Sequence, residues 1–149
     1  MGRLQNPSRY CPKAQCCRSS AGAYHIAGMG QSIAVVDDDR SVCKGFSRLL
    51  RSAGYSTRTF SSAEECLQSP DLATVDCFLL DIHLGSVNGL ALARTLRHTG
   101  ISAPIIFMTA EDESGVRQVL RDAGSPLCLA KPIDSATLLD AIAARLPRV

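Results

Sequence analysis

Six residues far apart in the chain are of types that could do chemistry together. They are Asp37, Asp38 and Asp39 in "VVDDD", Asp81 in "CFLLDIHLG", Thr109 in "IIFMTA" and Lys131 in "AKPI". Each group follows a short apolar run, the pattern of a buried strand that ends at the residue in question. Several carboxylates in one crevice repel each other and do not all ionise unless a cation is present. Oxygen-only ligands select a hard divalent ion, and Mg²⁺ fits because it takes few protein ligands and keeps several waters. The lysine adds positive charge and the threonine a hydroxyl. Such a set suits a phosphoryl group in transfer: metal and lysine neutralise its equatorial oxygens while one carboxylate attacks in line.

The elements that must position these groups are legible as an alternation. "SIAVVDDD" (32–39), "YSTRTF" (55–60), "CFLL" (77–80), "APIIFMTA" (103–110) and "PLCLA" (126–130) read as strands. Helical spacing appears over 41–54, 88–100, 112–124 and 134–146, and two overlapping capping boxes, Ser61-x-x-Glu64 and Ser62-x-x-Glu65, open a further helix. The last helix is expected to be capped by Asp134 or Ser135. Five strands alternating with five helices predict a parallel sheet covered on both faces. In a doubly wound sheet, ligands sit beyond the carboxyl ends of the strands. The acids, Thr109 with Ala110, and Lys131 are all expected at that edge.

Each residue also has a plainer reading. Asp37–Asp39 fits an acidic strand-to-helix turn with Asp39 as the helix cap. Asp81 can open an Asx turn. Thr109 is a β-branched strand residue, and Lys131 a solvated loop lysine held extended before Pro132. His83 fits an exposed loop residue. The chemical reading is favoured by the convergence of all of them on one sheet edge.

Composition bounds the rest. The chain has 149 residues, 46% hydrophobic and 20% charged, with a net charge of +2, which fits one domain and gives no global pointer to nucleic acid. Residues 1–30 hold Arg3, Arg9, Lys13 and Arg18 and no acid, against 12 bases and 14 acids in the remainder. They read as a disordered basic tail, or as sequence upstream of a start at Met29. No apolar run is long enough to span a membrane, and no secretory signal is evident. Seven cysteines, an odd number, argue for a reducing compartment, and a cytoplasmic location is expected. Cys43, Cys66, Cys77 and Cys128 read as small core residues. Cys11, Cys16 and Cys17 match no standard zinc spacing.

From about residue 31 to 146, the ordered set "VVDDD", "LLDIHLGSVNGLAL", "IIFMTA" and "AKPI" resembles the receiver domain of bacterial response regulators. The resemblance implies a flavodoxin-like sheet of order 2-1-3-4-5. It makes Asp81 the phosphoacceptor and Asp37 and Asp38 the acid pair for Mg²⁺, with Asp38 the direct ligand. It also places a main-chain ligand just after Asp81, at the carbonyl of Ile82 or of His83. Thr109 and Ala110 become the hydroxyl side of the phosphate site and Lys131 its cationic partner. Cys128 stands where the family usually has a Tyr or Phe, so the aromatic half of the switch is missing in its usual form. Pro126 stands at the entrance of that strand. The implied function is a stand-alone, single-domain regulator over 31–149. It would accept phosphate from a histidine kinase or a histidine phosphotransfer protein. It would signal to a downstream protein, without direct DNA or membrane binding, with phosphorylation-linked dimerisation open to it. Val116, Val119, Leu120, Cys128 and Leu138 are the expected reporter face. The rival readings are a relay intermediate, a phosphorylation-independent interaction module, and a haloacid-dehalogenase-type phosphatase. In the phosphatase reading Asp37 is the nucleophile, Asp39 the acid/base, and Thr109 and Lys131 the later motifs.

Overall fold

A computed structural model describes residues 30–85, 87–110, 118 and 127–146. The strands are β1 (Ser32–Val36), β2 (Ser56–Phe60), β3 (Cys77–Asp81), β4 (Ile105–Thr109) and β5 (Cys128–Ala130). The helices are α1 (Arg40–Ser52), α2 (Ala63–Gln68), α3 (Gly89–His98) and α4 (Ser135–Arg145). The tail up to residue 29, with Cys11, Cys16 and Cys17, lies outside the described residues. So do the helix expected over 112–124, except Gln118, and Val116, Val119, Leu120 and Pro126 with it. Among the described residues no helix is long and apolar enough to cross a membrane.

The strands pair in parallel in the order β2-β1-β3-β4-β5, the order expected of a flavodoxin-like sheet. Alternation along each strand feeds two cores. Ala34, Val36, Phe78, Leu80 and Phe107 pack with Leu92 and Leu96 of α3 on one face. Ile33, Val35, Cys77, Leu79, Ile106 and Met108 pack with Leu50 of α1 and Leu138 and Ile142 of α4 on the other. The apolar strands are therefore buried on both sides, as a parallel sheet requires. Leu138, expected on a reporter face, is fully buried and belongs to this second core.

Helix starts are set by short polar side chains. Asp39 caps α1, accepting from Ser41 and Val42 N–H groups. Ser62 caps α2, and Asn88 accepts from Leu90 and Ala91 at the start of α3. Asp134, rather than Ser135, caps α4. Glu65 departs from the expected reciprocal box: its carboxylate accepts from the N–H and hydroxyl of Ser61.

Two glycines have opposite surroundings. A Cβ at Gly89 would overlap the main-chain carbonyl oxygen of Asp81 and sit 3.1 Å from Ile82 Cα, so α3 reaches the Asp81 loop only because residue 89 has no side chain. A Cβ at Gly45, in the middle of α1, would meet nothing within 4 Å. Gly89→Ala is expected to lower stability by roughly 1–3 kcal/mol, the range for forced overpacking. Gly45→Ala should raise it by about 0.5–1 kcal/mol, the helix-propensity difference. Denaturant unfolding of both variants checks the contrast, and equal effects would contradict it.

Candidate functional site

The register of the central strands assembles the site. Val36 pairs with Leu80, so the next residues, Asp37 and Asp81, emerge side by side at the carboxyl edge of β1 and β3. Asp37 is fully buried and Asp81 nearly so. One ligand oxygen each from Asp37, Asp38 and Asp81 can be chosen so that all lie within 4.8 Å of one another, with Asp38 exposed at the rim. Asp39 does not join them, because its carboxylate caps α1.

Lys131 enters from the end of β5. Its Nζ donates to Asp37 Oδ2 at 2.5 Å and lies 3.5 Å from Asp81 Oδ2, so one ammonium bridges two carboxylates. The bridge is anchored by the main chain: Lys131 N donates to the Thr109 carbonyl at 2.7 Å, and Thr109 stands opposite Ala130 in the β4–β5 register. The Lys131–Pro132 peptide bond is cis. Thr109 is buried at the same edge, and Ala110 is exposed just beyond it. Cys128 is half-buried, pairs in register with Phe107, and packs against the α3-side core, away from the carboxylates.

Backbone donors fix both inner acids. Asp37 Oδ1 accepts from Asp39 N–H at 2.9 Å, and Asp81 Oδ1 accepts from His83 N–H at 3.2 Å. The Asx turn read as a plainer alternative for Asp81 is thus present, and it orients the carboxylate without removing it from the cluster. Ile82 is committed on both sides, donating to Met108 O at 2.9 Å and accepting from Gly89 N at 2.7 Å. His83 is exposed and opens a two-residue antiparallel ribbon, His83–Leu84 with Val87–Asn88. Two features were not anticipated from the sequence. Lys131 pairs with Asp37 across 94 residues of chain. Beneath Asp37, Cys43 Sγ donates to the Asp37 carbonyl at 3.4 Å. Asp37 repulsion of Asp81 was a signal for the first; nothing in the sequence pointed to the second.

Burial, and then the charge of Asp37, push the Asp81 carboxyl above its usual range, against the pull of Lys131. Burial opposes the charge on Lys131, but its hydrogen bond to Asp37 and the attraction of Asp37 and Asp81 hold its pKa above the ordinary value. Three carboxylates against one ammonium leave a net negative, oxygen-only crevice. That donor set fits a hard divalent cation such as Mg²⁺.

Because the folded state raises the Asp81 pKa, stability is lost as pH rises from the ordinary aspartate value of 3.8 through the raised one. At neutral pH, without divalent ions, Asp81→Asn should therefore unfold a few degrees above wild type. The gap should close as pH falls toward 3.8. Thermal unfolding against pH checks this, and a variant less stable than wild type at neutral pH would refute it.

The model of a family described as the response regulator receiver domain matches residues 33–143. The response regulator protein TodT of Pseudomonas putida is 32% identical over 125 residues, covering 84% of this chain and 55% of TodT. The transcriptional regulatory protein TdiR of Thauera aromatica is 34% identical over 119 residues, covering 80% of this chain and 52% of TdiR. The chain thus spans about half the length of the curated relatives it matches. The chemotaxis protein CheY4 of Vibrio cholerae superposes with a TM-score of 0.73 at 26% identity, covering 80% of this chain and all of CheY4.

Proposed function

The chain belongs to the response regulator receiver domain family, and from that premise we propose that Asp81 accepts a phosphoryl group from a phosphohistidine donor in a Mg²⁺-dependent reaction. The donor would be a histidine kinase or a histidine phosphotransfer protein. The single observation that supports this reading most is the Asp37–Asp38–Asp81 cluster bridged by Lys131. A terminal regulator and a relay intermediate both begin with this step, so the reading covers either.

The chemistry assigns each group a part. An Asp81 oxygen forms the new bond to phosphorus as the phosphorus–nitrogen bond of the donor breaks. The His83 N–H on Oδ1 keeps the carboxylate turned for that attack. Asp37, Asp38, Asp81 and a main-chain carbonyl would hold Mg²⁺, which when bound would supply positive charge to offset that of the phosphoryl group. We assign the main-chain ligand to His83, since the Ile82 carbonyl already accepts from Gly89. Lys131, which in this state holds Asp37 and Asp81, becomes the partner of the new phosphate. The Thr109 hydroxyl donates to it from the neighbouring strand end. The output is a protein contact that depends on this exchange of partners.

The phosphatase reading loses its acid/base, because Asp39 is engaged at the start of α1. Its nucleophile, Asp37, is fully buried and already holds the Asp39 N–H and the Lys131 ammonium.

Intact mass after incubation with acetyl phosphate and Mg²⁺ tests the reading. Wild type should gain one phosphate and Asp81→Asn none, and a gain on Asp81→Asn would overturn the assignment. Asp38→Ala should weaken Mg²⁺ binding by roughly tenfold or more, as loss of even an outer partner of a metal ligand costs 10–100-fold. Lys131→Ala should still take up phosphate but lose the phosphate-dependent change in partner affinity. An unchanged response would remove Lys131 from its role.

A further inference from the structure

Asp38, the exposed member of the acid cluster, has no hydrogen bond of its own. Among the described residues none reaches its main chain or its carboxylate. Its aim is therefore set by the two peptide groups that flank it. Each group is planar, so a hydrogen bond at one end restrains the whole plane. The plane after Asp38 is restrained by the Asp39 N–H, which donates to Asp37 Oδ1 at 2.9 Å. The plane before it carries the Asp37 carbonyl. The group that reaches this oxygen is the thiol of Cys43, with Sγ at 3.4 Å.

Cys43 is built into the fold at both of its ends. Its side chain is buried in the core that α1 shares with Val35 and Leu50. Its N–H donates to the Asp39 carbonyl at 3.1 Å, so the thiol and the turn that it braces form one closed loop of chain around Asp38. The sulfur also lies 3.7 Å from the Phe60 carbonyl, which accepts the Asp37 N–H at 3.1 Å. The thiol thus sits where β1 and β2 both end. Burial, and then the charge of Asp37, push its pKa up, so it keeps the proton that it donates. A purely apolar side chain here would fill the core and leave the Asp37 carbonyl without this donor.

We propose that Cys43 is a positioning residue for the divalent-cation site: its thiol holds the Asp37 carbonyl, and with it the peptide plane from which Asp38 projects. The inference rests on the proposed function for the role of Asp38 as a cation ligand. It adds that the aim of this ligand is set from inside α1, by a side chain that touches neither the cation nor the phosphoryl group. A thiol is a weak donor, so the effect is one of geometry rather than of charge.

The test separates hydrogen bonding from packing in the full chain. Cys43→Val keeps apolar bulk and loses the donor, whereas Cys43→Ser keeps a donor and loses apolar bulk. Mg²⁺ affinity is read from the Asp38 and Asp39 amide resonances of isotope-labelled protein, and stability from thermal unfolding of the same samples. Cys43→Val should bind Mg²⁺ about tenfold more weakly than wild type, the low end of the cost of removing a partner of a metal ligand. Cys43→Ser should fall between the two in affinity although it is the less stable variant. Cys43→Ala, which also lacks the donor, should match Cys43→Val in affinity whatever its stability. In metal-free protein the Asp38 amide, which shares its plane with the Asp37 carbonyl, should shift more in Cys43→Val than in Cys43→Ser. The infrared S–H stretch of wild type should contain a band, lowered by hydrogen bonding, that these variants lose. Mg²⁺ affinity that follows stability, weakest in Cys43→Ser, or no such band, would overturn the proposal. Asp38→Ala, measured alongside, tests the premise. Loss of Mg²⁺ affinity there with Cys43→Val unchanged removes Cys43 alone. Unchanged affinity in Asp38→Ala removes Asp38 from the site, and the metal assignment of the proposed function with it.

Discussion

The pairing of β1 with β3 forces two carboxylates together, and much of the site answers that fact. Once Val36 stands opposite Leu80, Asp37 and Asp81 have no other place to go. Both are buried, so neither can shed its repulsion into water. The chain meets this with one ammonium across both acids and with an N–H on each, from Asp39 and His83. These contacts reduce the repulsion without cancelling it, and Asp81 keeps a raised pKa. The residual negative charge is what gives the crevice its demand for a divalent cation. A structure built for stability alone would bury apolar side chains there, as β1 does with Val36 and β3 with Leu80 immediately before the acids.

The same register explains why so much of the fold was legible. Each strand that carries a site residue is a short apolar run with a clear end, and the residues at those ends are the ones brought together. Asp37, Asp38, Asp81, Thr109 and Lys131 could be placed at one edge because strand ends in a parallel sheet share an edge. What could not be read was which of them touch. The partner of Lys131 lies 94 residues away, and no local pattern encodes a pairing at that distance. Asp39 belongs to the same acid run, and its plainer reading as a helix cap is the one the structure bears out: one step further along the chain it meets the free N–H groups of α1 instead of the crevice. Leu138 shows the limit in the other direction. Its helical spacing suits an exposed stripe or a core stripe equally, and only packing against the sheet decides for the core.

Gly89 and Gly45 extend this argument to what sequence pattern alone leaves open. Both look like helix glycines of equal weight. One is required, because a side chain would strike the carbonyl of Asp81 and disturb the loop that aims the acid. The other is open to any residue on steric grounds. A glycine that packing requires belongs to the fold, and one that packing does not require lowers helix stability by about 0.5–1 kcal/mol relative to alanine.

The position of Cys128 bears on how a change at the site would leave it. A thiol has no ring to swing, and Cys128 packs with Phe107 on the α3 side of the sheet. Lys131 sits three residues on, and its chain continues through Pro132 to Ile133, which packs on the opposite side with α1 and α4. Its backbone is tied to Thr109 by a 2.7 Å hydrogen bond, so the two groups proposed to read the phosphate are joined by main chain rather than through an aromatic side chain. On the proposed chemistry, drawing Lys131 from Asp37 toward a phosphate on Asp81 pulls on the segment that leads to Ile133 and the core under α1 and α4. The route outward therefore runs toward α1 and α4.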